Sequence, residues 1–180
     1  ASSGSDVIVA WYDSRDLNAE IYIKRSTNGG LSWSADTRIT NNTASSQLPS
    51  LFMEGSLVHL AWTDNRDGNP ETYYKRSSDG GVTWGADTRL SFNGSDSWYT
   101  SVSSSGQYVH VVWRDDRNIT NEIYYNGSTN GGITWGGFDT RITFNSANSE
   151  HPSISASGST VHLVYQNNQN TNLQIYYRKS

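Results

Sequence analysis

Cysteine is absent from all 180 residues, which excludes a disulfide framework and any thiolate metal site. Long apolar runs are absent too, and none approaches the length of a membrane span. No segment carries a sustained helical period of apolar residues, so helices are not expected. Basic charge is sparse: 13 Lys and Arg stand against 17 Asp and Glu, and they recur along the chain instead of clustering. That spread argues against nucleic acid or an anionic membrane as partner. The first residues, Ala1-Ser2-Ser3-Gly4-Ser5, have no signal-peptide character. What the chain does have is aromatic side chains, 7 Trp and 11 Tyr among them, in a background of Ser, Thr, Asn and Gly. Such a composition suits short strands and tight turns around an aromatic-heavy core.

One stretch occurs three times, as Ser26-Thr27-Asn28-Gly29-Gly30-Leu31-Ser32-Trp33, Ser77-Ser78-Asp79-Gly80-Gly81-Val82-Thr83-Trp84 and Ser128-Thr129-Asn130-Gly131-Gly132-Ile133-Thr134-Trp135. The closing tryptophans fall 51 residues apart at both steps, a period that marks stacked supersecondary units. Asn or Asp before Gly-Gly, between two β-rich runs, is a hairpin turn. Glycine permits positive φ, and the Asx side chain accepts hydrogen bonds from N–H groups two or three residues on. Hydroxyls satisfy further turn groups, and the tryptophan is large enough to bury on the neighbouring unit. A turn repeated in every unit is a fold staple, because one turn per unit cannot be one active site. Its residues are Ser26, Asn28, Gly30 and Trp33, then Ser77, Asp79, Gly81 and Trp84, then Ser128, Asn130, Gly132 and Trp135.

The pattern Ser-x-Asp/Asn-x-Gly-x-Ser/Thr-Trp resembles the Asp-box (BNR) repeat of the sialidase-like β-propellers. The middle copy matches at every defined position, and the outer two carry Asn for Asp.

Each unit reads as four strands. In the second, Pro49–Met53 is the first, Leu57–Trp62 the second, Glu71–Ser77 the third, and Thr88–Ser91 belongs to the fourth. Four short strands per repeat indicate an all-β propeller of four-stranded antiparallel blades, with about three and a half repeats. The chain divides as a single segment with blades at approximately 1–46, 47–97, 98–149 and 150–180. Residues 1–6 align with the tail of a first strand, and Ile175–Ser180 is a third strand. Two full blades are therefore flanked by two incomplete ones. The expectation is a partial propeller belonging to a longer chain, or a ring completed by another copy.

Strand order places the repeated hairpin and the first-to-second turn on one face. The second-to-third loop and the loop into the next blade lie on the other, which in the resembled family holds the ligand. There the loop repeats as Asp13-Ser14-Arg15-Asp16 with Glu20, Asp64-Asn65-Arg66-Asp67 with Glu71, and Asp115-Asp116-Arg117-Asn118 with Glu122. The fourth unit reads Asn167-Asn168-Gln169-Asn170 with Gln174. Relative to the second unit, charges lost together point to one salt-bridged network around the arginine, with amides keeping neutral hydrogen bonds. A cation site in these loops is disfavoured by the central arginine. His59, His110 and His162 recur in the second strands and read as blade-packing residues; no metal site and no cofactor are expected.

Residues that break the repeat are the functional candidates. Gln47-Leu48-Pro49 aligns with Trp98-Tyr99-Thr100 and with Glu150-His151-Pro152, at the start of the first strands on the ligand-side face. Trp98 and Tyr99 could stack on a sugar ring, with Glu150 and His151 supplying polar contacts. Arg114 is the only arginine outside the repeat pattern.

The resemblance also implies what a sialidase would need: three arginines on the substrate carboxylate, a tyrosine nucleophile with a glutamate, and an aspartate acid/base. Arg38-Ile39-Thr40 and Arg141-Ile142-Thr143 echo the family's Arg-Ile-Pro motif without its proline. No unique catalytic set emerges, so no catalytic residue is assigned. Three functions stay open. One is a non-catalytic, extracellular or surface propeller that binds a glycan or a surface protein; another is a portion of an exo-sialidase-type glycoside hydrolase. The third is a structural repeat of an extracellular assembly, in which copies self-associate.

Overall fold

The computed structural model describes residues 1–170 and 172–180. The first sheet holds β1 (Ser2–Ser3), β2 (Asp6–Asp13), β3 (Glu20–Ser26) and β4 (Thr37–Arg38). The second holds β5 (Ser46–Glu54), β6 (Leu57–Asp64), β7 (Glu71–Ser77) and β8 (Thr88–Arg89). The third holds β9 (Ser97–Ser105), β10 (Tyr108–Asp115), β11 (Glu122–Ser128) and β12 (Thr140–Arg141). The fourth has β13 (Ser149–Ser157), β14 (Thr160–Asn170) and β15 (Asn172–Lys179). Each sheet is a simple antiparallel meander, as expected of propeller blades. The first strands are longer than the sequence reading gave: β5 runs from Ser46 to Glu54, not Pro49 to Met53. The sheets form an open arc. Among the described residues, no apolar cluster joins the first sheet to the fourth.

A blade is apolar on both faces and cannot bury either alone, so the core lies between sheets. Alternation along each middle strand sends one set of side chains forward and the other back. From β10, Val109, Val111 and Trp113 pack on the second blade with Ala61, Tyr74 and Leu90. Val112 packs the other way, with Ile154, Leu163 and Tyr165 of the fourth.

The repeated hairpin locks the first two junctions. Asp79 Oδ1 accepts from the N–H groups of Val82 at 3.0 Å and Thr83 at 2.9 Å, three and four residues on. The Thr83 hydroxyl and N–H, with help from Ser77, hold the Asp79 carboxyl well below its ordinary range. Asn28 and Asn130 make the equivalent bond to Ser32 and Thr134. Gly80 N–H donates to the Ser56 carbonyl at 2.8 Å, which fastens the hairpin to the first-to-second turn on the same face. Trp135 meets Tyr74 of the preceding blade edge-on, with ring centroids 4.6 Å apart. Trp84 does the same service against the first blade. At the third junction, the corresponding space beside Tyr125 is a cavity of about 450 Å³, lined by His110, Val112, Ile154, Val161 and Leu163 among others.

Of the recurring histidines, His59 packs between blades as expected, while His110 lines the cavity at the third junction and His162 stacks on the exposed Tyr177. His59 is fully buried and shares a 2.7 Å hydrogen bond with the Tyr74 hydroxyl. Burial, with a smaller contribution from Arg76, lowers its pKa to about 4.

Two predictions follow from the junction. Gly132 has φ +79°, and a Cβ there would sit 2.0 Å from the Tyr74 hydroxyl, whereas one on Gly131 would meet nothing. Gly132→Ala should therefore lower the denaturant midpoint by more than Gly131→Ala, for which only the backbone cost of about 1 kcal/mol applies. Neutral His59 favours the folded state only while the unfolded histidine is also neutral. Stability from this residue is complete above pH 6.5 and is lost as pH falls from there towards about 4. His59→Gln should flatten the stability profile across that window, measured by urea denaturation.

Candidate functional site

On the face opposite the hairpins, the first, inner strands β5, β9 and β13 each carry a bulge. Gln47 pairs with Thr63 and Ser50 with Ala61, so the inner strand advances one residue more than its partner. The same shift separates Trp98 from Ser101 and Glu150 from Ser153. The residue at each bulge takes positive φ: Leu48 at 53°, Tyr99 at 58° and His151 at 50°. Such values are uncommon for bulky residues and mark a strained turn of the backbone. The variable triplets thus lie at the start of β5, β9 and β13, each one residue into its strand. The bulge itself is fold; what it displays changes from blade to blade.

Between the third and fourth blades, the bulges bring two candidates into contact. The rings of Tyr99 and His151 lie with centroids 4.2 Å apart. Glu150 reaches the same boundary, accepting 2.6 Å from Asn121 Nδ2 of the third blade. Trp98 and Arg114 are cross-strand partners on β9 and β10. The five candidates therefore gather around one blade boundary. Trp98, Tyr99, Arg114 and Glu150 are half-buried, and His151 is exposed.

Two further residues belong with them. Arg114 Nη2 lies 3.2 Å from Asp116 Oδ2, and Asp116 Oδ1 accepts from Asp96 N–H at 2.8 Å. Asp96 Oδ2 lies 3.4 Å from Trp98 Nε1, which closes the link back to the ring. Arg114 Nε is buried without a partner among the described residues. The signal for Asp96 and Asp116 was available: their equivalents are Ser45 and Asn65 in the second unit, so both depart from the repeat together with Arg114.

The loops beneath this surface hold the expected ion pairs, but around two arginines instead of one in each of the first three blades. Arg66 bridges Asp64 and Asp87, both at 2.7 Å, while Arg89 of β8 pairs with Glu71 at 2.6 Å. Arg117 and Arg141 repeat this with Asp115, Asp139 and Glu122. Arg66 also lies 4.4 Å over the Tyr73 ring. Asp64 is fully buried; that burial alone would raise its pKa, but bonds from Arg66, Trp62 and Ser46 outweigh it and lower it. In the fourth blade, amides take over: Asn167 Nδ2 donates to Asn145 Oδ1 at 3.1 Å and Ser149 Oγ at 3.0 Å.

No family model matches the chain, and no curated protein matches it in sequence. Solved structures do resemble it. The GH93 α-L-arabinofuranosidase of Fusarium graminearum with arabinobiose superposes with a TM-score of 0.72 at 18% identity, over 97% of this chain and 59% of that one. An endo-arabinase from Bacteroides thetaiotaomicron gives 0.65 at 12%, over 98% and 72%. A Trypanosoma rangeli sialidase mutant displaying trans-sialidase activity gives 0.65 at 13%, over 98% and 34%. The fold is that of the sialidase-like and arabinanase propellers. The chain spans about three-fifths of the arabinofuranosidase's length.

Replacing Arg66 by Met leaves Asp64 buried and short of its main partner, at an expected cost of about 3 kcal/mol. Asp64, with its lowered pKa, stabilises the fold above the ordinary carboxylate range and loses that contribution as pH falls through the folded value. In the variant the carboxyl protonates more readily, so the deficit should narrow below about pH 4. Gln169→Met, at the matching position of the amide blade, should cost under about 1 kcal/mol. Chemical denaturation of both variants checks the contrast.

Proposed function

We propose that the chain is a stretch of an Asp-box propeller that binds glycans outside the cell and carries no catalysis of its own. The observation that carries this reading is the boundary between the third and fourth blades. There Tyr99 lies against His151, Trp98 pairs with Arg114, and Glu150 spans to Asn121. Aromatic faces beside a guanidinium and carboxylates suit a sugar, whose C–H faces stack while its hydroxyls take the polar groups. The three hairpins support the Asp-box assignment, since Ser77, Asp79 and Thr83 use their side chains to close the turn that the motif names. The similar structures are of an arabinofuranosidase, an arabinase and a sialidase, so carbohydrate is the shared theme of their names. The extracellular placement rests on the resemblance and on the Ser, Thr and Asn-rich composition.

A second reading, a portion of a glycoside hydrolase, is favoured by Asp96, Asp116 and Glu150, three carboxylates around one arginine-bearing boundary. Titration calorimetry with arabino-oligosaccharides and sialyl-lactose separates these readings from the purely structural one. Saturable binding that weakens roughly tenfold in Trp98→Ala and in Tyr99→Ala is expected. No binding of either glycan by the unaltered protein would overturn the proposal. Turnover of an aryl arabinofuranoside or sialoside that disappears in Glu150→Gln would select the hydrolase.

A further inference from the structure

The boundary between the third and fourth blades departs from the earlier two in its loops as well as at its bulge. At the first boundary, Asn18 Nδ2 reaches from Glu20 Oε1 at 2.8 Å to the loop that enters the next blade. There it meets the carbonyls of Asn42 at 3.1 Å and Ala44 at 2.5 Å. Asn69 repeats the three contacts at the second boundary, with Glu71 Oε1 at 3.1 Å and the carbonyls of Asn93 at 3.5 Å and Ser95 at 2.6 Å. In the third unit the same position is Thr120, a shorter side chain with a single donor hydrogen. Its hydroxyl lies 3.2 Å from Glu122 Oε1 and 3.4 Å from the Asn145 carbonyl, and the third contact, to the Ala147 carbonyl, is lost. Where asparagine spans the gap at the earlier boundaries, there is here an open cleft of about 340 Å³. Its walls are Thr120, Ser146, Ala147, Asn148, Asn168 and Gln169. Small-ligand sites begin at about 300 Å³.

We propose that this cleft holds one uncharged sugar unit of a bound glycan, a subsite that rests on the glycan-binding reading above and adjoins its aromatic residues. The wall chemistry selects the ligand. None of the six wall residues is ionisable. Hydroxyls, amides and a backbone carbonyl supply both donors and acceptors, as a sugar hydroxyl requires. Gln169 stands where Arg66 and Arg117 each pair with two aspartates, so the cation that would draw a carboxylate is missing. Asn148 stands where Asp96 does, so the carboxylate of the preceding boundary is missing as well. A carboxylated sugar would lose water in the cleft without gaining a counter-charge. Asn121 joins the cleft to the aromatic site. Its N–H donates to Asn148 Oδ1 at 3.0 Å, and its Nδ2 donates to Glu150 Oε1 at 2.6 Å. The two places thus share one surface, and consecutive units of one oligosaccharide would occupy them.

Thr120→Asn restores the side chain of the earlier boundaries and closes the cleft, so the variant should fold at least as well as the unaltered chain. Titration calorimetry with arabinotriose, an uncharged probe, should show binding weakened about tenfold, the loss of one or two hydrogen bonds. Ser146→Phe blocks the cleft from its other wall and should weaken binding to a similar degree. Circular dichroism and thermal midpoints confirm that both variants fold. Trigalacturonate, in which every unit carries a carboxylate, should bind the unaltered chain at least about tenfold more weakly than arabinotriose. Arabinotriose binding that weakens in Trp98→Ala but not in Thr120→Asn overturns the cleft and leaves the aromatic site standing. Weakening in Thr120→Asn, with none in Trp98→Ala or Tyr99→Ala, supports the cleft and overturns the aromatic site. No binding of arabinotriose by the unaltered chain overturns both. Trigalacturonate bound as tightly as arabinotriose overturns the assignment to an uncharged sugar.

Discussion

Everything in this molecule depends on a blade being unable to bury its own faces. A four-stranded meander with large apolar side chains on both sides is stable only between neighbours. At the first two junctions an indole of one blade seats on the blade before it: Trp135 edge-on to the Tyr74 phenol, and Trp84 on the aliphatic floor of Ile8 and Ile23. Putting the indole there needs a hairpin that turns sharply and leaves no Cβ in the way. That is why the second glycine of the pair lies against the partner: the nearest side-chain atom to Gly132 is the Tyr74 hydroxyl, and to Gly81 the tip of Ile8. The serine and the Asx residue then spend their side chains holding the turn's N–H groups, so the hairpin is rigid before it docks.

On the opposite face the organising force is electrostatic. Carboxylates such as Asp64, Glu71 and Asp115 are fully buried, and each is neutralised by an arginine that itself stays partly in water. The aromatic rings beneath the arginines, Tyr73 and Tyr124, add a cation–π surface to the same groups. The fourth blade shows that the geometry does not require charge. Asn167 accepts from Gln169 N–H at 2.8 Å, the same backbone bond that Asp64 accepts from Arg66 at 3.0 Å. A neutral set avoids the desolvation that the charged set must offset, which makes the exchange of all members together physically sensible.

The fold was legible because its determinants are local and periodic. The 51-residue spacing, the glycine pairs and the alternation in strands such as Val109–Trp113 each report on nearby backbone. The bulges were harder to see. Leu48, Tyr99 and His151 share no residue type, since the positive φ is imposed by the pairing of inner and second strands and not by a side chain that favours it. The second arginine of each loop network was missed for a related reason. Arg89 lies 18 residues from Glu71 along the chain and meets it only when β8 pairs with β7. The candidate residues themselves stood out as departures from the repeat. Asp96 and Asp116 were visible on that same criterion, but only once Arg114 was read together with its neighbours.

The inner strands of the arc carry a last feature. Their outer edges have no further strand to pair with, yet their amides are not idle: Ser50 Oγ accepts from Val102 N–H at 3.1 Å, Ser101 from Ile154 at 3.2 Å and Ser103 from Ala156 at 2.9 Å. Serine hydroxyls from one blade thus act as a row of latches on the backbone of the next. When two blades part, all latches of that row open at once and a run of free backbone donors is released on an extended strand. Separation of the blades would therefore create a template for intermolecular pairing before any strand has melted. Repetition, which makes the fold easy to encode, also makes every junction a place where the same accident can begin.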